Sequence, residues 1–209
     1  MKPWLYDILA CPIDKFFPLE LFIFSFETTD DEFKEIITIY EERDINRIKD
    51  ENIIEIQEEK GIFYIKDDIV IEKSSVDNYL NSIISSIEEV DNIHDKSTLE
   101  LSKRCFDILR GELKNKIAKF AEISINEIEK IETIFPELYF LNKIKTETEI
   151  KTGLLFCGEC KRWYPIIETI PQMLPDEYRD EKAEIDFLKT NKDLLDSTFF
   201  KQDLKPYNI

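Results

Sequence analysis

The chain has 209 residues, 43% of them hydrophobic, which is enough to bury one large core or two small ones. Its 45 acidic and 28 basic residues give a net charge of -17, which opposes direct contact with RNA or DNA because nucleic-acid binding requires Lys and Arg to neutralise phosphates. The apolar stretch at the N terminus is short and is broken by Asp7, and no later stretch is long enough to cross a membrane. We therefore expect a cytoplasmic protein that binds neither membrane nor DNA, whereas a basic partner is not disfavoured by the charge.

The first predicted elements are a strand and a helix. Residues 19–28 are dense in aromatic and branched side chains, with three phenylalanines alternating on one side, which predicts a strand. The stretch that follows has apolar residues at near-helical spacing and predicts a helix with Asp30 as its N-cap. Short alternating runs around Gly61 then predict a small hairpin or a three-stranded element.

Three helices are predicted in the middle of the chain, and the first of them begins at Ser75. Each of the other two begins with a capping box, in which a serine and a glutamate three residues later bind free backbone N–H groups: Ser97 with Glu100, and Ser124 with Glu127. Pro136 ends the third helix, because proline cannot continue one.

Alternation returns in residues 139–157, where a turn at Lys151-Thr152-Gly153 predicts a β-hairpin that leads into a Cys-x-x-Cys sequence. β structure at both ends of the chain thus brackets a mainly helical middle. This order predicts the α+β class, with the two ends meeting in one small sheet.

Three segments are predicted. Residues 1–29 and 140–175 form a discontinuous β domain, and residues 30–139 form a mainly helical insert with a small β element. Residues 176–209 form an acidic amphipathic tail, whose predicted docking residues are Phe187, Leu188, Leu194, Leu195 and Phe199.

Two short turns carry the residue types that bind metals. Cys157 and Cys160 form the Cys-x-x-Cys turn, and Cys11 begins CPID, in which Asp14 stands at the spacing of a second cysteine. Zinc in a ribbon is held tetrahedrally by two such turns, so these four residues predict a metal site in a zinc-ribbon-like domain. An Asp oxygen ligates zinc less well than sulfur does in a thiolate site. The alternative is that the metal is lost and the cysteines remain as small buried residues or as a disulfide pair.

The other reactive residue types predict no active site. A redox Cys-x-x-Cys places its thiolate at a helix N terminus, whereas the residues after Cys160 predict a strand. Cys105 lies beside the apolar stripe of a helix and is predicted to be a core residue. His94, the one histidine of the sequence, lies in a polar stretch that predicts a solvated loop, so no Ser/His or Cys/His pair is indicated.

The two end segments, LYDILACPIDKFFPLEL and GLLFCGECKRWYPIIETIPQMLP, resemble the small methyltransferase-activator subunit family of archaea and eukaryotes. The positions that carry the resemblance are Cys11, Pro18-Leu19, Cys157, Cys160, Tyr164, Pro165-Ile166, Ile170-Pro171 and Met173-Leu174. The resemblance is confined to these ends, because the insert is longer here and carries an extra β element. Asp14 also departs from the family pattern, which bears on the metal and not on the fold.

The resemblance implies a non-catalytic subunit, and not an enzyme. In this family the subunit forms a heterodimer with class I S-adenosylmethionine-dependent methyltransferases that modify tRNA, ribosomal RNA or translation release factors. It lays a strand of its ribbon domain beside the edge of the methyltransferase sheet and covers an apolar patch there. The methyltransferase binds S-adenosylmethionine and makes the main contacts to RNA.

The segment after the second cysteine turn is more apolar than a small domain can bury, and such surfaces mark interfaces. We expect about half of it to be core, covered by the tail or the insert, and the remainder to bind a partner. The predicted partner-binding residues are Trp163, Tyr164, Pro165, Ile166, Ile167, Ile170, Met173 and Leu174. Two other functions stay open: a stand-alone zinc-ribbon module of the transcription or translation machinery and, less favoured, a thiol redox protein.

Overall fold

The computed structural model describes residues 1–122 and 128–209, and it is a mixed α+β structure with small sheets. The predicted capping box of Ser124 and Glu127 lies outside the described residues. The chain divides into two compact units. The first comprises Met1–Thr28, Asn92–Glu100 and Glu149–Ile209, and the second comprises Thr29–Asp91 and Leu101–Thr148.

The helices and strands are numbered along the chain. The helices are α1 (Pro3–Tyr6), α2 (Asp30–Glu42), α3 (Ile45–Asp50), α4 (Val76–Glu89), α5 (Glu100–Ile108), α6 (Lys114–Ala121), α7 (Ile128–Glu132), α8 (Phe135–Asn142) and α9 (Glu181–Thr190). The strands are β1 (Glu20–Phe26), β2 (Glu55–Glu59), β3 (Ile62–Lys66), β4 (Ser74–Ser75), β5 (Ile93–Asp95), β6 (Ile150–Phe156), β7 (Trp163–Ile167) and β8 (Ile170–Pro171).

The first unit contains a five-stranded sheet in the order β5-β1-β6-β7-β8. β1 pairs antiparallel with β6, so a strand near the N terminus lies beside a strand that is more than a hundred residues away. β7 and β8 form a hairpin at one edge, and the short β5 pairs parallel with β1 at the other. The predicted loop at His94 is therefore wrong. His94 lies in β5 and stacks on Phe22 with 4.7 Å between ring centroids, a pairing that a three-residue polar strand does not signal in sequence.

The core on one side of this sheet is shared between the strands and the C-terminal tail. Its buried members are Phe22, Phe24, Leu154, Phe156 and Trp163 from the strands, with Leu188, Leu195, Phe199 and Leu204 from the tail. The remaining two predicted docking residues, Phe187 and Leu194, pack against this cluster. Since a fully buried large apolar side chain contributes roughly 1.5–3 kcal/mol, the tail stabilises the first unit and belongs to it.

The second unit combines helices with a three-stranded antiparallel sheet, β2-β3-β4, as predicted around Gly61. The helix predicted at Asp30 begins there as α2, but its N-cap is Thr29. The Thr29 side chain accepts a hydrogen bond from the backbone N–H of Glu32, whose carboxylate accepts one from the N–H of Thr29. The helix stops at Arg43, which takes a left-handed conformation with φ of 52°, and α3 follows with Asp44 as its N-cap.

The hairpin predicted within residues 139–157 is wrong. The first part of this stretch continues α8 through a π-helical turn at Lys143–Glu147, and Pro136 lies in the first turn of α8. Every residue of α8 is buried, so the helix lacks the polar face that would have identified it. The second part is the single strand β6, which runs through Lys151-Thr152-Gly153 because it is paired on both sides.

Two boundaries differ from the predicted domains for the same reasons. Residues 92–100 belong to the first unit because β5 pairs with β1, and residues 140–148 belong to the second because they continue α8.

Gly153 is required in β6 by close packing. A Cβ atom at this position would lie 2.6 Å from the carbonyl oxygen of Phe22 and 3.3 Å from the side chain of Ile166. We predict that Gly153→Ala lowers the free energy of unfolding by roughly 1–3 kcal/mol, because backbone would have to move to admit the methyl group. Urea denaturation followed by tryptophan fluorescence would measure the loss.

Gly111→Ala is the matched control, since nothing lies within 4 Å of its Cβ position. It should leave stability unchanged or raise it by up to about 1 kcal/mol. Equal stability of the two variants would contradict the packing explanation.

Candidate metal centre

The turn at the first cysteine is closed by backbone hydrogen bonds. The N–H of Cys11 donates to the carbonyl of Phe16 at 3.0 Å, and the N–H of Lys15 donates to the carbonyl of Cys11 at 2.9 Å. Lys15 has φ of 63°, in the left-handed region, and its amine donates to the carbonyl of Pro12 at 2.8 Å.

The turn at the second pair of cysteines repeats this geometry. The N–H of Cys157 donates to the carbonyl of Arg162 at 2.8 Å, and the N–H of Lys161 donates to the carbonyl of Cys157 at 3.0 Å. Lys161 has φ of 60°, and its amine donates to the carbonyl of Gly158. CPIDKF and CGECKR are thus the same turn twice, and the left-handed residue is the lysine in each. Gly158 itself has no left-handed φ, and a Cβ atom there would make only an ordinary contact at 3.7 Å.

The two turns place Asp14 and Cys160 at equivalent positions and bring all four predicted ligands together. The ligand atoms of Cys11, Asp14, Cys157 and Cys160 lie within 4.8 Å of one another. The sulfurs of Cys11 and Cys160 are 3.6 Å apart, and the sulfur of Cys157 is 3.4 Å from a carboxylate oxygen of Asp14. A tetrahedral ion with metal–sulfur bonds of about 2.3 Å holds its sulfurs roughly 3.8 Å apart, so this spacing fits a metal ion.

Burial raises the pKa of the two buried thiols, Cys11 and Cys157, and backbone N–H groups lower it. Burial raises the pKa of the Cys157 thiol to about 12, although backbone N–H groups of Cys160 and Glu159 point at its sulfur. Burial likewise raises the pKa of Cys11, against the N–H groups of Asp14 and Ile13. Both groups are therefore thiols at neutral pH without a metal, and an ion that binds must displace their protons.

Asp14 is the exposed member of the cluster. The backbone N–H of Phe16 donates to its carboxylate at 3.0 Å. This hydrogen bond and the thiol of Cys11 lower the pKa of Asp14 to about 2, so the carboxylate is ionised at neutral pH. The donor set is thus three sulfurs and one anionic oxygen, and the oxygen lies on the solvent side.

Two polar side chains next to the cluster contact its sulfurs. Four ionised ligands carry four negative charges, of which a divalent ion cancels two. Arg162 binds Asp176 at 2.8 Å, and this ion pair together with a contact to Cys160 raises the pKa of Arg162. The hydroxyl of Tyr164 lies 3.4 Å from the sulfur of Cys11. The sequence analysis did not predict these contacts of Arg162 and Tyr164. It also did not predict the repeated turn, which the lysine at the end of both CPIDK and CGECK could have indicated.

The predicted partner-binding residues differ in their exposure to solvent. Trp163, Tyr164, Pro165 and Ile166 are buried within the chain, Met173 is half-buried, and Ile167, Ile170 and Leu174 are exposed. Trp163 is covered by the tail, since its ring stacks on Phe187 and its indole N–H donates to the carbonyl of Tyr207 at 3.1 Å. The four buried side chains therefore offer no surface to a partner.

The remaining candidates lie away from the cluster. Cys105 is buried in α5, in the second unit, as predicted. β7 begins at Trp163, three residues after Cys160, so the turn leads into a strand and lacks the helix N terminus of redox Cys-x-x-Cys sites.

Comparison of the chain with protein-family models, with curated proteins and with solved structures gives no match. Among the described residues, no helix is long and apolar enough to cross a membrane.

We predict that the reduced chain binds one Co²⁺, a spectroscopic substitute for Zn²⁺, with sulfur-to-cobalt charge-transfer absorption. Asp14→Ala should weaken this binding by roughly 10–100-fold, and Asp14→Cys should strengthen it because a fourth thiolate replaces an oxygen. Cobalt titration followed by absorbance measures both changes. Cys105→Ser should match the unchanged chain, and a site that gave no charge-transfer band in any variant would be no metal centre.

Proposed function

We propose that this chain is a non-catalytic subunit that activates and stabilises class I S-adenosylmethionine-dependent methyltransferases acting on tRNA, ribosomal RNA or translation release factors. The observation that carries the proposal is the meeting of the two end segments that resemble the activator family. They share one sheet through β1 and β6, and they place their two matched turns around one ligand cluster. The first unit is then a zinc-ribbon-like domain with a zinc ion at this cluster.

The zinc in this proposal has a structural role. Four protein ligands leave no open position for substrate, which is the arrangement of structural and not of catalytic zinc sites. The ion would tie the turn that precedes β1 to the turn that follows β6.

The surface proposed for the partner is the exposed part of the β7–β8 hairpin. Ile167, Ile170 and Leu174 are 40%, 60% and 42% exposed, although all three are large apolar side chains. They follow the cysteine turn directly, in the segment that carries the family resemblance. Apolar surface concentrated in this way is typical of protein interfaces.

Only part of this edge of the sheet is open to a partner strand. The outer side of β7 near the cysteine turn is already occupied, because Lys205 exchanges hydrogen bonds with the backbones of Lys161 and Trp163. β8 is the edge strand beyond it, and among the described residues the N–H of Met173, just after β8, makes no hydrogen bond. We therefore place strand addition along the outer side of residues 170–174.

A further exposed apolar residue of the first unit is Trp4, three residues from the N terminus. The amine and carbonyl of Met1 bond to Ile150 at the start of β6, and the N–H of Thr169 in the β7–β8 turn donates to the carbonyl of Lys151. The N terminus and the β7–β8 turn therefore both lie beside the start of β6. The net charge of -17 supports a protein partner that holds the RNA itself.

We predict that co-expression with a class I methyltransferase of the same organism increases that enzyme's solubility and S-adenosylmethionine binding. Ile170→Asp and Leu174→Asp should each reduce the complex recovered by about tenfold or more, since a charge would enter an apolar interface. Pull-down from co-expressing cells and calorimetric titration of S-adenosylmethionine provide the measurements.

Ile71→Asp is the matched control, because Ile71 is 77% exposed and lies in the second unit. It should leave the complex intact, and circular dichroism should show all variants folded. Failure of every class I methyltransferase of that organism to bind would refute the proposal. Tight RNA binding by the free chain at low salt would favour the stand-alone binding module.

A further inference from the structure

One pair of sulfurs in the cluster joins the two turns. The sulfurs of Cys11 and Cys160 are 3.6 Å apart, although the residues are 149 positions apart in sequence. The sulfur of Cys157 is engaged differently. It contacts Asp14 and accepts the backbone N–H of Cys160 at 3.5 Å, the geometry of a metal-binding turn.

The three sulfurs also differ in their access to solvent. Cys160 is partly exposed, whereas Cys11 and Cys157 are buried. A small oxidant therefore meets Cys160 first, and the sulfur of Cys11, 3.6 Å away, is in position to react with the oxidised sulfur. Asp14 has no sulfur to offer, so three thiols can form one disulfide and leave one thiol over.

We propose that the cluster is a site of reversible oxidation, at which Cys11 and Cys160 form a disulfide when no metal ion holds the sulfurs. With hydrogen peroxide as oxidant, the sulfur of Cys160 attacks one peroxide oxygen, the O–O bond breaks, and a sulfenic acid and one water form. The sulfur of Cys11 then attacks that sulfenic sulfur, the S–O bond breaks, and the second water leaves. The two sulfurs supply the two electrons that reduce the peroxide, and both thiol protons end in water.

Metal binding and the disulfide exclude each other, because a disulfide removes two of the four ligands. Either one ties the turn before β1 to the turn after β6. Oxidation would thus release the ion and keep the two chain ends joined. This inference does not depend on a methyltransferase partner, and the free full-length chain tests it.

The test is disulfide mapping of the full-length chain after chelator treatment and exposure to hydrogen peroxide. Alkylation, digestion without reductant and mass spectrometry should give the linked peptides of Cys11 and Cys160 as the main product. Cys157 and Cys105 should be alkylated. Cobalt binding should be lost on oxidation and restored by dithiothreitol, and cobalt loaded beforehand should slow disulfide formation by tenfold or more.

Three variants separate this pairing from the others. Cys157→Ser should still form the disulfide, Cys160→Ser should not, and Cys105→Ser should behave as the unchanged chain. If circular dichroism shows that Cys160→Ser is unfolded, mapping of the unchanged chain still decides the outcome. A main product that joins Cys157 to Cys160, a disulfide between chains, or no disulfide at all would overturn the proposal, as would equal oxidation rates with and without cobalt.

Discussion

The antiparallel pairing of β1 with β6 is the interaction on which the rest of the first unit depends. Glu20, the first residue of β1, pairs with Phe156, the last residue of β6. The turn before β1 and the turn after β6 must therefore meet at the same end of the sheet. Gly153 permits the pairing, because any side chain there would meet the carbonyl of Phe22. The meeting of the two cysteine turns in one cluster therefore follows from this register.

The cluster shows how one turn can be used twice with different ligands. The hydrogen bonds that shape the turn come from the backbone and from a lysine, so they do not require a cysteine at the fourth position. Asp14 keeps an ionised oxygen where Cys160 places its sulfur in the other turn. With aspartate in place of a cysteine, the turn keeps its geometry, and the cluster has three thiols and one carboxylate instead of four thiols. Those properties distinguish this cluster from a four-cysteine site, and the odd number of thiols is what the proposed disulfide of Cys11 and Cys160 depends on.

The apolar segment after the second turn serves two purposes in the fold. Its first half fills the core, with Trp163 under the tail and Tyr164 beside Cys11. Its second half remains at the surface around β8, the edge strand of the sheet. A partner strand at that edge would extend the sheet without disturbing the core or the cysteine turns. The position of the tail thus limits the surface on which a partner can dock.

The sequence alone determined the class of the fold, the four residues of the cysteine cluster and the core role of Cys105. These features follow from local patterns: alternation in residues 19–28, the spacing of CPID and CGEC, and the apolar stripe of a helix. Only the tertiary structure decided three others. α8 is buried on all sides, so its sequence has no helical periodicity. β5 is too short and too polar to be predicted as a strand. β6 continues through Lys151-Thr152-Gly153 because strands pair with it on both sides. It also decided which half of the apolar segment is covered, since burial depends on a tail that lies distant in sequence and adjacent in space.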